Sequence, residues 1–301
     1  MTGPNSFALQ QALQKHIETF VNLHGDFGLE RLDASQLTSD VLLESMLAMP
    51  FLAGKRLLII SDPGGNKVFT EKFPLILESL SDDTNIIFVQ PTFDKRSSIY
   101  KFLKKNSDFL EFEELNEPAL FRWISEYVEM HNGTISSADT RFLVSRIGSS
   151  QRTLQSELDK LLSYQSAISK EAIELLTVPT VQSSIFDLID SAFAGRTTQT
   201  LDIYREQRMQ KIEPLYIVAM ITWQLHVIAV VKAGQEKTAD TIARSSKINP
   251  YTVRKSSMLA QKMSMTQIKS LVSRTRDLER RLKRESIDSD EALLELLMHF
   301  N

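Results

Sequence analysis

The 301-residue sequence contains no cysteine. Disulfide bonds, thiolate nucleophiles and cysteine-ligated zinc sites are therefore excluded. A chain without cysteine fits a reducing compartment, and we expect the protein to be cytoplasmic. Its composition, 42% hydrophobic and 24% charged, is typical of a soluble protein with about two or three domains.

Export and membrane signals are scarce as well. The first five residues lack the basic and apolar regions of a signal peptide. The longest apolar run covers residues 214–231 and is nearly long enough to span a bilayer. It begins with a proline and contains Thr222, Gln224 and His226, which are costly in lipid. We therefore predict a buried helix here and no association with a membrane.

Charge is distributed unevenly along the chain. Residues 1–180 carry 17 Lys and Arg against 24 Asp and Glu, whereas residues 181–301 carry 18 against 14. Within the second part, residues 232–284 carry 14 basic and 4 acidic side chains. Such an excess attracts phosphate backbones or an acidic protein face. The alternative is that these side chains only solvate amphipathic helices.

The first 116 residues alternate between helical and strand patterns, which predicts a parallel sheet with helices on both faces. Continuous apolar runs predict buried strands at residues 56–61 and 85–90, with weaker strands at residues 28–32 and 108–112. The helical segments between and before these strands are residues 7–21, 38–48, 68–80 and 97–106. The residues around Gly3 read as a loop that follows a missing or shortened strand.

From residue 118 onward the strand signal largely disappears, and apolar residues recur at helical spacing. The predicted helices are residues 120–130, 137–147, 152–164 and 170–176. A break at residues 177–180 precedes a second helical block that runs from residue 184 to residue 300. The fold class is therefore α/β plus all-α, with an α/β domain at 1–116, a small helical domain at 117–180 and a larger helical domain at 181–301.

A proline-containing apolar segment, Met49-Pro50-Phe51-Leu52-Ala53, separates the second predicted helix from the strand at 56–61. Pro50 blocks continuation of the helix, so its apolar neighbours emerge on a connection and not within a buried stripe. Two interpretations remain open. These side chains either fold back as a hydrophobic plug under their own sheet or dock into a partner.

An α/β domain followed by a small helical domain has the outline of an AAA+ nucleotide-binding module, but the ATPase residues are missing. The phosphate-loop pattern G-x-x-x-x-G-K-[ST] is replaced by residues 3–7, where Pro4 also removes an amide donor. The strand end at residues 60–63 offers one carboxylate followed by a proline. We expect no ATP hydrolysis by this chain.

Other catalytic patterns are absent too. The five histidines are scattered without H-E-x-x-H spacing, and no G-x-S-x-G elbow occurs. The sequence therefore predicts no catalytic residue, no metal site and no cofactor.

Residues 238–255 resemble a helix-turn-helix. A helical stretch at 239–245 is followed by a turn at Asn249-Pro250 and by a basic helix with Arg254 and Lys255. Two helices joined by a short turn are also the commonest way to build a helical bundle. A DNA-binding regulator and an ATPase with a divergent nucleotide site remain alternative functions.

Five segments in this order resemble the delta-subunit family of bacterial DNA polymerase III clamp loaders, and the similarity covers nearly the whole chain. The segments are Phe51-Leu52-Ala53-Gly54-Lys55-Arg56-Leu57; Phe93-Asp94-Lys95-Arg96-Ser97; Gly148 with Arg152, Leu154, Glu157, Leu158, Lys160 and Leu161; residues 184–190; and residues 248–255.

The resemblance implies an AAA+-like parallel-sheet domain without ATPase residues, a helical lid domain and a C-terminal helical collar domain. It implies a ring with the ATPase subunits (gamma/tau) and delta prime, and primed DNA bound through the complex. Such a chain has no active site of its own but is a subunit of the DNA-directed DNA polymerase (nucleotidyltransferase) holoenzyme.

The resemblance also implies which residues make contacts. The apolar residues after the second helix bind a pocket on the sliding clamp (beta), which places that role on Met49, Phe51 and Leu52. It favours docking over the plug for these side chains. The basic region around residues 232–284 would serve collar packing or DNA, with Arg254, Lys255, Arg280 and Arg281 as the candidate DNA or partner contacts.

Overall fold

A computed structural model of the protein describes residues 1–49, 54–76 and 79–300. The chain forms two compact units, Met1–Glu114 and Leu115–Asn301. The first unit is a parallel sheet between helices and the second is almost entirely helical. The fold is therefore mixed α/β, mostly helical, with a small parallel sheet.

The first unit contains a three-stranded parallel sheet in the order β1-β2-β3. Its strands are β1 (Leu29–Asp33), β2 (Arg56–Ser61) and β3 (Thr84–Val89). Its helices are α1 (Ser6–His24), α2 (Ser39–Leu47), α3 (Lys67–Ile76) and α4 (Ser98–Asn106). Alternation of helix and strand along the chain thus produces the parallel sheet that the sequence predicts.

Side-chain alternation along β2 divides the core of this unit into two layers. Leu58 and Ile60 point to one face, and Leu57 and Ile59 to the other; all four are buried. The first layer packs against α2, α3 and α4 through Leu42, Met46, Phe69, Phe73, Ile99 and Leu103. The second packs against α1 through Leu9, Leu13, Ile17 and Phe20. Both faces of the sheet are therefore covered, as expected for a parallel sheet.

The predicted strand at residues 108–112 is reduced to a single bridge. Thr2 pairs in parallel with Gln90 on one side and with Glu111 on the other. Because Thr2 supplies one residue of pairing to each neighbour, segment 108–112 does not extend into a ladder. Thr2 therefore occupies the sheet position next to β3, where the sequence predicts a missing or shortened strand.

The second unit begins with four helices, α5 (Glu117–Met130), α6 (Ser137–Ile147), α7 (Gln151–Tyr164) and α8 (Lys170–Leu176). A short parallel pair, β4 (Thr134–Ile135) and β5 (Ala167–Ile168), joins two of the loops. Two-residue strands leave no periodic signal, so the sequence pattern did not predict this pair.

Seven further helices follow the break at residues 177–180. They are α9 (Val181–Phe193), α10 (Thr197–Met209), α11 (Pro214–Ala233), α12 (Ala239–Ser246), α13 (Pro250–Lys262), α14 (Met265–Arg284) and α15 (Ser289–Met298). Side-chain caps mark several starts, for example Thr180 at α9 and a capping box of Ser264 and Gln267 at α14.

Two hydrophobic cores hold this second unit. One is formed by α5 to α8 and contains Leu120, Ile124, Leu143, Leu154 and Leu158. The larger one is formed by α9 to α15. In the part of the chain that the structure describes, α11 is long and apolar enough to cross a bilayer, with a mean hydropathy of 1.8. It lies in the larger core, where Ile217, Ile221, Leu225 and Ile228 are buried, as predicted for a buried helix.

Candidate functional site

The connection between α2 and β2 carries the predicted docking residues. Helix α2 ends at Leu47, with Ala48 as its C-cap. Met49 follows with 79% of its surface exposed, although methionine is usually a core residue. Phe51 and Leu52, the two predicted anchors, lie outside the described residues. The structure thus places the first predicted docking residue in solvent, at the start of the connection.

The α2 end of this connection is held by Arg56, which is itself the first residue of β2. Its side chain is 11% exposed and forms an ion pair with Glu30. The same guanidinium donates hydrogen bonds to the carbonyl oxygens of Ser45 and of Ala48, the latter at 3.1 Å. Because these carbonyls are at the C-terminal end of α2, Arg56 caps the helix with a positive charge. The point where the chain leaves α2 is therefore held firmly.

The β2 end of the connection is held by Lys55. Its ammonium lies 2.9 Å from the carboxylate of Asp83 and 3.3 Å from the carbonyl oxygen of Asp82. The neighbouring strand approaches so closely that a Cβ atom on Gly28 would lie 2.2 Å from the carbonyl oxygen of Lys55. Glycine is therefore required at position 28. The described residues on both sides of the connection, Ala48 and Lys55, are therefore held by contacts within the unit.

Sequence reasoning missed Arg56 as a positioning residue. The signal was a cation at the first position of a strand that is otherwise buried on both faces. A buried charge needs a partner, but sequence alone does not indicate that Glu30 and the end of α2 supply it.

The loop before α1 occupies the position of a phosphate-binding loop, yet its amides are already used. The Gly3 amide donates to the Pro91 carbonyl oxygen at 3.1 Å, and the Asn5 amide donates to that of Phe112 at 3.1 Å. In the first turn of α1, the Ala8 amide donates to Oδ1 of Asn5 at 3.0 Å. A phosphate would have to displace these carbonyl and amide acceptors.

The acidic position at the end of β2 is also satisfied within the protein. The Asp62 carboxylate accepts a hydrogen bond of 3.2 Å from Nε2 of Gln90, whose Oε1 accepts one of 2.8 Å from the Gly64 amide. Across the described ranges, no group of three or more His, Asp or Glu side chains is arranged to hold a metal ion. The Asp62 carboxylate is therefore engaged by a side chain of the neighbouring strand end.

We predict that the purified chain has no intrinsic ATPase activity. Isothermal titration with ATP and magnesium should give no heat above dilution, because residues 3–7 lack the consecutive Lys and Ser or Thr that hold phosphate and magnesium in a phosphate loop. Micromolar binding accompanied by turnover would contradict this prediction.

Models of known protein families match two parts of this chain, one near each end. The family model "DNA polymerase III, delta subunit" matches residues 1–113, and the model "DNA polymerase III delta subunit, C-terminal domain" matches residues 182–300. This chain belongs to the DNA polymerase III delta subunit family. Together the two matches cover more than half of the chain and include the α2–β2 connection.

Two relatives agree with this assignment. The chain is 23% identical over 313 residues to DNA polymerase III subunit delta of Bacillus subtilis (strain 168), covering 98% of this chain and 90% of the relative. It also resembles the solved structure of the Bacillus subtilis DNA clamp loader delta protein, with a TM-score of 0.82 and 21% identity over 99% of this chain and 93% of that one. The structural match shows a shared fold.

Two of the four basic residues predicted as contacts in this delta-family chain are engaged within the second unit. Arg254 lies 3.3 Å from the Asp240 carboxylate. The Lys255 ammonium lies 4.6 Å from the ring centroid of Phe186, 3.3 Å from Oγ of Ser183 and 3.4 Å from the carbonyl oxygen of Ser145. Burial lowers the pKa of Lys255.

The same packing bears on the helix-turn-helix interpretation. Helices α12 and α13 are present, and the buried residues Ile242, Ala243 and Val253 belong to the larger core. At the start of α13, burial raises the pKa of Tyr251 to about 12. The residues that would read a DNA groove at the start of a recognition helix are therefore largely occupied by internal contacts.

The other two predicted contact residues are exposed on α14. Arg280 lies 3.5 Å from Asp277, and Arg281 lies 3.4 Å from Glu285; both ion pairs are at the surface. Exposed pairs of this kind contribute roughly 0–1 kcal/mol, so these guanidinium groups are free to exchange partners. Of the four predicted contact residues in this family member, the two exposed ones therefore lie on α14.

Proposed function

We propose that this chain is the non-catalytic delta subunit of a DNA polymerase III clamp loader, which binds and opens the sliding clamp for loading on primed DNA during replication. The observation that carries the proposal is Met49, an exposed apolar side chain on a connection anchored at both ends in a chain of the delta family.

The proposed clamp contact consists of Met49, Phe51 and Leu52. Apolar side chains that fill a pocket on a partner usually supply most of an interface's binding energy. Arg56 and Lys55 restrain the two ends of the connection, so less conformational entropy is lost when its residues dock. Methionine is unbranched and adapts to the shape of a pocket.

The proposed layout assigns a role to each part of the chain. Residues 1–116 form an AAA+-like domain that has lost its nucleotide site, residues 117–180 a lid, and residues 181–301 a collar. Support comes from the parallel sheet covered by helices and from the two separate helical cores. In this proposal the ATPase subunits (gamma/tau) and delta prime are the ring partners, and the complex acts in the cytoplasm.

Both alternative functions have observations against them. An ATPase with a divergent site conflicts with the occupied amides at Gly3 and Asn5. A helix-turn-helix regulator conflicts with the internal contacts of Arg254 and Lys255.

Co-purification with the sliding clamp tests the proposed function directly. The full chain, mixed with the clamp of the same organism, should co-elute from a size-exclusion column without nucleotide, since the contact residues need no ATP. A nucleotide-free mixture that elutes as two separate proteins at micromolar concentration would count against the proposal.

A further inference from the structure

A groove of about 680 Å³ lies between α11 and α14 in the second unit. Helix α11 lines it with Ala219, Thr222, Trp223, His226 and Ala229, and α14 lines it with Met265, Ile268, Lys269, Val272 and Glu279. Its walls are therefore mainly apolar, with one aromatic ring and few charges.

Aromatic side chains follow the outer face of α11 beside this groove. Trp223 is 38% exposed, and Tyr216, seven residues earlier, is 52% exposed. Residues two helical turns apart lie on the same face. Since large aromatic rings are costly to leave in water, an exposed pair on one face suggests a surface that something covers.

A row of cations begins at the same groove and follows α14. Lys269, Arg276, Arg280 and Lys283 are all exposed, and spacings of seven, four and three residues place them on one face. At 1.5 Å per residue the row is about 21 Å long. In the described part of the chain, Lys269 and Arg276 form no ion pair, whereas Arg280 pairs with Asp277 and Lys283 with Glu279.

We infer that this surface binds single-stranded DNA, with phosphates along the row of cations and a base stacked on Trp223. Unpaired bases stack on aromatic rings and their backbone follows basic grooves, whereas a duplex keeps its base faces covered. An apolar helix from a partner protein would fill the groove but would leave Lys269 and Arg276, which form no ion pair in the described part of the chain, without a counterpart. The inference rests on the proposed function, because primed DNA carries a single-stranded template.

The fluorescence of Trp223 provides the first test. The chain contains two tryptophans, Trp123 and Trp223. A Trp123→Phe variant of the full chain therefore reports on Trp223 alone. Titration with an oligothymidylate should quench this emission along a binding isotherm, and a duplex of equal length should not. Absence of quenching at DNA concentrations that saturate binding would place the DNA elsewhere and overturn the inference.

Substitutions in the full chain provide the second test, read by fluorescence anisotropy with labelled oligothymidylate. Trp223→Ala should weaken binding about 10-fold, the equivalent of one lost base stack, and Trp223→Tyr should retain most of the affinity. Tyr164→Ala removes another exposed aromatic ring of the same unit and should change nothing. Thermal melting should show that Trp223→Ala remains folded.

Salt dependence tests the row itself. The triple variant Lys269→Gln, Arg276→Gln, Arg280→Gln should reduce the slope of log affinity against log salt by about 2, since each phosphate contact on a single strand contributes about 0.7. The matched control replaces Lys101, Lys104 and Lys105, three exposed cations of α4, and should leave the slope unchanged.

Clamp co-purification with the same variants separates this inference from the proposed function. The α14 triple variant should still bind the clamp, because Met49 and its connection are unchanged. If it keeps its salt slope for DNA but fails to assemble with the ATPase subunits, the surface is a protein interface and the DNA inference is wrong.

Discussion

Replacing Phe51 and Leu52 together with alanine should weaken binding to the sliding clamp at least ~100-fold, since truncating a central apolar anchor costs about 2–4 kcal/mol. The loss should appear mainly as faster dissociation. Surface plasmon resonance with immobilised clamp measures it. Met49→Ala, which removes a flexible side chain exposed over 79% of its surface, should have a smaller effect.

The chain offers a matched control for this double substitution. Leu23 and Phe27 belong to the same unit, are of the same residue types, and are 72% and 86% exposed. Leu23→Ala with Phe27→Ala should leave clamp affinity unchanged. Unchanged affinity in the Phe51 and Leu52 variant would overturn the docking role. A collapsed melting temperature in that variant would instead support the hydrophobic plug under the sheet.

Arg56→Ala should destabilise the first unit by about 2–4 kcal/mol, because the largely buried guanidinium makes one ion pair and two hydrogen bonds to carbonyl groups, all of which are lost. The substitution leaves the carbonyl groups of Ser45 and Ala48 and the Glu30 carboxylate without their donor. The end of α2 should then fray, and clamp affinity should fall even though Phe51 and Leu52 are intact.

Hydrogen exchange is the appropriate measurement for Arg56, because both tryptophans, Trp123 and Trp223, lie in the other unit. The amides of α2 should exchange faster in Arg56→Ala, and Arg56→Lys should be intermediate because lysine keeps the charge but lacks the planar fork. Lys55→Ala breaks a pair whose lysine is 40% exposed and should cost at most about 1 kcal/mol. Equal exchange in all three variants would show that Arg56 does not hold the connection.

Periodicity predicted most helices of this chain closely. Helices α6 and α8 have the predicted bounds, and the break at 177–180 is confirmed between α8 and α9. These elements are set by local signals, namely apolar spacing and Ser or Thr caps. The prediction was wrong for the strand at 108–112, because a strand exists only where a partner pairs with it, and Thr2 pairs with one residue there.

The candidate site could be predicted in part. Pro50 and its apolar neighbours indicated an exposed connection, and the structure places Met49 in solvent. The contacts that hold the two ends of that connection were not predictable, since Arg56 reaches Glu30, 26 residues away, and Lys55 reaches Asp83, 28 residues away. Contacts over such separations depend on how strands align in the sheet and leave no local pattern.

The sequence by itself determined what this protein lacks and how its helices and sheet are built. The missing phosphate-loop lysine and the absent cysteines follow from residue identity, and apolar periodicity follows from local geometry. Only the tertiary structure decided which charges are accessible. Lys255 and Arg280 belong to the same basic region, yet Lys255 packs against Ser145, 110 residues away, while Arg280 lies in solvent. The physical reason is that burial depends on packing between segments distant in sequence, and burial determines whether a charge can meet a partner.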